Sequence, residues 1–255
     1  MKARLSDGAP PSPPKGEATA RRARETASSD QFAPTLARLM TWLSPAYPVG
    51  GYSYSHGLEW AVEAGHVSDA ATLGDWVEAI LPHGAGRSDA IFLAEAWRAV
   101  AGGDEGLLAE TIELAAAFAP SAERRLETLA QGAAFLMATQ AVWPAPALER
   151  LSAQSAGVAY PVAVGASAAA HGLPLVPTAQ AFVQAFAANL VSAGVRLIPL
   201  GQTDGLRVLA RLEPLVPRVV AGALGAGLDD VGGAAIAADI ASMRHETQYT
   251  RLFRS

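Results

Sequence analysis

The chain has 255 residues, about half of them hydrophobic but only 7% aromatic, and no cysteine, which rules out disulfides, thiolate metal sites and cysteine nucleophiles. Its formal charge of −5 is uneven: residues 1–33 carry six Lys or Arg against four Asp or Glu, and the remainder 13 against 20. An acidic body argues against nucleic acid as the main partner, because phosphate contacts need a basic face.

Residues 1–33 are Pro, Ser, Ala and charge, with Leu5 and Phe32 as their sizeable apolar groups. Such a segment buries too little surface to offset its ordering entropy, so it is expected to be a disordered tail. It has no apolar core of the kind a signal peptide needs. The body's cations are all arginine, since the two lysines are Lys2 and Lys15, and P-loop and Schiff-base chemistry are thereby excluded from it.

From residue 34 the pattern is helical. "APTLARLMTWLS" sets Leu36, Leu39, Met40 and Leu43 on one expected buried face. The stretch "SPAYPVGGYSYSHGLEW", Ser44 to Trp60, follows. Its Pro45, Pro48, Gly50 and Gly51 predict a loop of defined shape that displays Tyr47, Tyr52 and Tyr54 before a helix ending near Gly65. Further helices are predicted from Thr72 to a stop at Pro82, and from Ser88 or Asp89. Others run from Gly106 to Pro120, from Ser121 to before Pro144, over 145–156 and 158–170, from Thr178, and from Asp204 with a break at Pro214 and Pro217. Ala159, Ala163 and Ala166 read as small residues that let helices approach closely. No alternating run marks a strand. The expectation is an all-α, single-domain bundle of about ten helices over 34–243, with a tail at 244–255. The most apolar region, "AGVAYPVAVGASAAAHG", is too short and too broken by Pro161 to cross a bilayer, so no membrane partner is expected and the chain is read as cytoplasmic.

Ser53, Ser55 and His56 superficially resemble a nucleophile elbow, and a helical hydrolase using that loop is the alternative reading. The elbow needs a strand before it, however, and Ser53 stands where its first glycine belongs. The five histidines, His56, His66, His83, His171 and His245, share no H-x-H or H-x-x-x-H spacing. His56 is at most a transient, low-affinity metal contact. Interaction features remain: the tyrosine loop, Arg196 in the last turn of a long apolar helix, and the basic-aromatic "SMRHETQYTRLFRS", which reads as a peptide that folds on binding.

Three segments, "SPAYPVGGYSYSHGLEW", "RLIPLGQTDG" and "HETQYTRLFRS", together resemble the urease accessory protein UreF family over roughly residues 35–255. The resemblance implies an all-helical, dimeric, cytoplasmic protein that is not an enzyme. Such a protein assembles with UreD (also called UreH) and the GTPase UreG to load nickel into apo-urease, with no tightly bound cofactor of its own and nickel handled by the complex. By analogy, Pro48, Gly50, Gly51, Tyr52, Ser53, Ser55, Gly57, Glu59, Arg196 and Gln202 belong to a dimer-associated surface that recruits UreG. His245, Glu246, Tyr249, Arg251, Leu252, Phe253 and Arg254 belong to the tail that becomes ordered against UreD. His56 is the implied transient nickel contact. Deleting 245–255 is expected to abolish UreD binding with little change in melting temperature.

Overall fold

The computed structural model describes residues 33–154 and 156–255, so the expected disordered tail falls almost wholly outside the described residues. Residues 1–38 and 39–255 form separate units, and the architecture below is that of Leu39–Ser255. It is all helix, with no strand among the described residues.

The chain-order elements are α1 (33–42), α2 (Leu58–Glu63), α3 (Ala70–His83), α4 (Ala85–Gly102), α5 (Glu105–Ala117) and α6 (Ala122–Val142). They continue with α7 (Pro146–Ser152), α8 (Tyr160–Ala170), α9 (Leu175–Leu197), α10 (Gln202–Leu212), α11 (Val216–Leu224) and α12 (Ile236–His245). Starts and stops follow local chemistry. Ser121 caps α6 by accepting from the Arg124 N–H, Asp104 caps α5 through the Leu107 N–H, and Pro161 sits in the first turn of α8.

Several predicted boundaries are corrected. The start of α3 is a box in which Asp69 accepts from the Thr72 N–H, three residues before the predicted cap. Pro82 does not stop α3 but lies in its last turn, and α4 begins directly after Gly84. This abrupt junction leaves the His83 carbonyl without a helical donor; the backbone N–H groups of Ala234 and Ala235 take it instead, at 2.7 and 3.1 Å. Likewise α9 opens at Leu175, with Thr178 inside its first turn donating to the Pro174 carbonyl.

α8 is apolar all round and buried from Pro161 to Ala168, as a central helix must be. It packs on α4, α6, α7 and α9. Ala159, Ala163 and Ala166 are all buried in it or at its start, but the closest backbone approaches are made by glycines. A Cβ on Gly165 would collide with the Leu93 carbonyl of α4, and one on Gly132 of α6 with the Val158 carbonyl. Around this centre, Trp42 is enclosed by Phe135, Trp143 and His171 in edge-on contacts at 5.4–6.0 Å. Leu39 and Trp42 form the buried side of α1, whereas Met40 is exposed, so the predicted face is rotated.

Because the obstacle at Gly165 is backbone, it cannot move aside. Gly165→Ala is expected to destabilise the fold by about 2 kcal/mol despite the better helix propensity of alanine, measured by urea unfolding.

Candidate functional site

The glycines of the 44–60 loop supply backbone that other residues resist. Gly50 (φ 71°) and Gly57 (φ 76°) are left-handed, and so is His56 (φ 57°), the one such non-glycine among the described residues. The consecutive turn at His56 and Gly57 feeds directly into α2, whose N-cap is Gly57. Gly57 also lies against the backbone of Ala241 and Ser242, where a side chain would clash. The loop therefore runs under α12.

Its tyrosines do not all face outward. Tyr52 is 67% exposed, but Tyr47 and Tyr54 are buried, and the Tyr47 hydroxyl pairs with Thr139 Oγ1 at 2.8 Å. Burial raises the Tyr47 pKa, partly offset by that bond. The predicted display of three tyrosines thus reduces to one.

The three motif segments meet. Arg196, in the last turn of α9, donates from Nη1 to the Tyr52 carbonyl (2.7 Å) and from Nε to the Ser192 carbonyl (3.2 Å), while its guanidinium lies 4.4 Å from the centroid of the Phe253 ring. The terminal segment is held further by Glu59 of α2, which is buried. Its Oε1 accepts from the Leu252 N–H (2.6 Å), and its Oε2 from the Phe253 N–H (2.9 Å) and from His245 (3.0 Å). The Arg254 N–H donates to the Ser53 carbonyl, and Ser55 donates through both backbone and hydroxyl to the Ser255 carbonyl. Glu246 accepts from the Ala122 N–H at the start of α6, where an acid is favoured, and Arg251 pairs with Glu123 at 2.6 Å. His245, Phe253 and Ser255 are buried; Tyr249, Leu252, Arg251 and Arg254 are exposed. The terminus is thus seated by the chain's own groups, where the resemblance implied ordering against a partner. Pro48 is exposed beside this assembly, and Gln202, exposed at the start of α10, is not drawn into the network.

Beneath the loop lies a polar cluster that sequence reasoning missed. α6 directs Arg124, Glu127 and Gln131 inward. Glu127 accepts from Arg124, from Gln131 (2.9 Å), from Ser255 Oγ (2.8 Å) and from His56 Nε2 (2.9 Å). Burial pushes Glu127 upward, but Arg124, His56 and Ser255 outweigh it and hold the carboxyl at about 2. Burial and then Arg124 lower the pKa of His56, so its ring is neutral and meets Glu127 as an N–H donor. Its other nitrogen is buried without a hydrogen-bond partner, and the ring packs edge-on against Phe186 at 4.9 Å. Asp89 of α4 faces a cleft of about 180 Å³ lined also by His56, Arg124, Glu127, Tyr160 and Phe186. Burial raises its pKa to about 6, against the pull of Arg124.

This geometry bears on the alternative chemistries. The Ser55 hydroxyl is committed to the Ser255 carbonyl and the His56 Nε2–H to Glu127, so no serine–histidine pair forms. Among the described residues no group of three His, Asp or Glu side chains is arranged to hold a metal ion. No helix among them is long and apolar enough to cross a membrane.

What the fold and site define is an all-helical protein whose conspicuous residues hold its own segments together around a small exposed aromatic surface. The UreF family model matches residues 67–213. Urease accessory protein UreF of Rhodopseudomonas palustris strain HaA2 is 58% identical over 229 residues, 89% of this chain and 96% of that protein. That of Bradyrhizobium diazoefficiens is 56% identical over 224 residues, 88% and 93% respectively. The chain belongs to the UreF family; it is an accessory protein and not an enzyme.

Two predictions follow from the buried carboxyls and the seated terminus. Asp89, raised from 3.8 to about 6 in the fold, costs stability once ionised; the penalty is absent below about pH 4, grows up to about pH 6 and is then constant. Asp89→Asn should therefore raise the melting temperature at about pH 7.5 and leave it nearly unchanged at about pH 4. Removing 251–255 strips donors from Glu59 and Glu127. Contrary to the small change in melting temperature expected for loss of the tail, this truncation should cost on the order of 3 kcal/mol in urea denaturation, the scale of buried groups left unpaired.

Proposed function

We propose that this protein is a scaffold in urease maturation, and that with UreD and the GTPase UreG it forms the cytoplasmic complex that inserts nickel into apo-urease. In this reading it is a homodimer that positions UreG, nickel is cargo of the complex, and the chain contributes shape. The observation that carries the reading is the convergence of Tyr52, Arg196 and Phe253, drawn from three segments far apart in sequence. Arg196 and Glu59 hold the backbone, which leaves Tyr52, Tyr249 and Leu252 outside as large apolar groups. Aromatic groups on a fixed backbone suit recognition, since little side-chain entropy is lost on contact.

In this assignment the loop and Arg196 recruit UreG, and Tyr249, Arg251, Leu252 and Arg254 meet UreD. Size-exclusion chromatography with light scattering, alone and with UreD and UreG, tests it: a dimer alone and a ternary complex with both partners are expected. Capture of neither partner would refute it. Tyr52→Ala should weaken UreG recruitment by at least about tenfold, the scale of an interface hot spot, with helical content by circular dichroism unchanged. A parallel loss of helix would assign Tyr52 to packing instead.

A further inference from the structure

The cleft beneath the 44–60 loop holds about 180 Å³, more than the roughly 150 Å³ that admits a benzene ring. Tyr160, Phe182 and Phe186 give it an aromatic wall. Two of its polar groups are hydrogen-bond acceptors with nothing to accept. His56 is 8% exposed and its Nε2–H goes to Glu127, which leaves Nδ1 as a buried lone pair without a donor. Asp89 receives no side-chain hydrogen bond and forms no ion pair among the described residues; Arg124 and Glu127 act on it through their charges alone. A buried acceptor left unmatched is unfavourable, and two that face one space call for a donor.

Charge points the same way. A second cavity, of about 290 Å³, shares Asp89 and Arg124 with the cleft. The charged side chains lining the two are Asp89, Glu127, Asp239 and Arg124, three carboxylates against one guanidinium. Arg124 is paired with Glu127 and His56 is neutral, so Asp89 and Asp239 are uncompensated. Burial raises both carboxyls, and Asp89, at about 6, is still ionised at about pH 7.5. An anion is repelled from such a cleft, and a neutral apolar guest leaves both acceptors unmatched. A metal ion would meet one imidazole and one carboxylate, since no three His, Asp or Glu side chains converge among the described residues.

We propose that this cleft binds a compact organic cation, an ammonium or guanidinium group with a short apolar end, whose charge lies on Asp89, whose N–H donates to His56 Nδ1 and whose apolar end rests against Phe182 and Phe186. The aromatic wall favours such a guest twice, by covering its apolar end and by the attraction of ring faces for positive charge. No partner protein is needed to complete the site, so it stands or falls apart from the assignment of UreD and UreG to the outer surface.

n-Butylammonium chloride, with 1-butanol as an uncharged counterpart of equal size, tests the site by calorimetric titration into the full-length protein at about pH 7.5 in an amine-free buffer. The ammonium should bind at least about tenfold more tightly than the alcohol, the scale of a hydrogen bond to a charged group. Asp89→Asn, the variant expected above to stabilise the fold, should remove that preference with helical content unchanged. Equal affinity for the two compounds, no binding of the ammonium, or a preference that survives in Asp89→Asn overturns the site. So does displacement of the ammonium by an equimolar amount of nickel(II) or magnesium chloride, which would assign the cleft to a metal ion. The comparison of the two compounds on the parent protein decides alone should the asparagine variant not fold.

Discussion

Two buried carboxylates, Glu59 on α2 and Glu127 on α6, impose the constraint on which this molecule's organisation rests. A carboxylate removed from water is tolerated only when donors surround it. Glu59 draws its donors from the end of α12 and from residues 252–253, and Glu127 from the loop, from its own helix and from Ser255. The two helices can close only when the far end of the chain returns to them, nearly 200 residues later for Glu59. Three segments that look like separate motifs are in this sense one structure.

The helix framework makes such closure possible. α4 and α8 approach to backbone contact through Gly165, and α6 reaches the residues before α8 through Gly132, which fixes where the polar side of α6 lies. Ser121, the cap of α6, bonds Ser242 of α12 at 2.6 Å, so the start of the polar helix is tied to the helix that carries His245. Small residues and caps thus set the spacing within which Glu123, Arg124 and Glu127 meet their partners.

Much of the helical order was legible in the sequence, because the Ser121 cap, Pro161 in a first turn and alanine-rich periodicity act locally, although Ser88, read as a possible start, lies inside α4. What was not legible depends on tertiary contact. Pro82 reads as a stop, yet in the last turn it removes a single ladder bond, the one to the Glu78 carbonyl, and the His83 carbonyl left at the helix end is taken by the distant Ala234 and Ala235 N–H groups. α6 inverts the usual rule: Leu126 and Met137 are exposed while Arg124, Glu127 and Gln131 are buried. A hydrophobicity pattern finds the buried face at Phe135 and Leu136 but loses it in the first turns, where Arg124, Glu127 and Gln131 at three- and four-residue steps continue that face as a polar seam. Tyr47 and Tyr54 turn inward for the same reason, since composition cannot say which tyrosine of a loop finds a buried partner. The site itself was legible as three segments, and their convergence was not.

The choice of arginine at position 196 shows how support and display are divided. Its guanidinium reaches two carbonyls, those of Tyr52 and Ser192, and covers the face of Phe253 at once, which a planar fork with several donors can do. A lysine ammonium is a point charge on a flexible stem and lacks the flat face to stack on the ring while holding both carbonyls. Because Arg196 spends its polarity inward, it fixes the Tyr52 backbone without engaging the Tyr52 side chain. The exposed ring is therefore held in place by contacts that a partner does not have to break, and its position depends on Phe253 remaining seated beneath the same guanidinium.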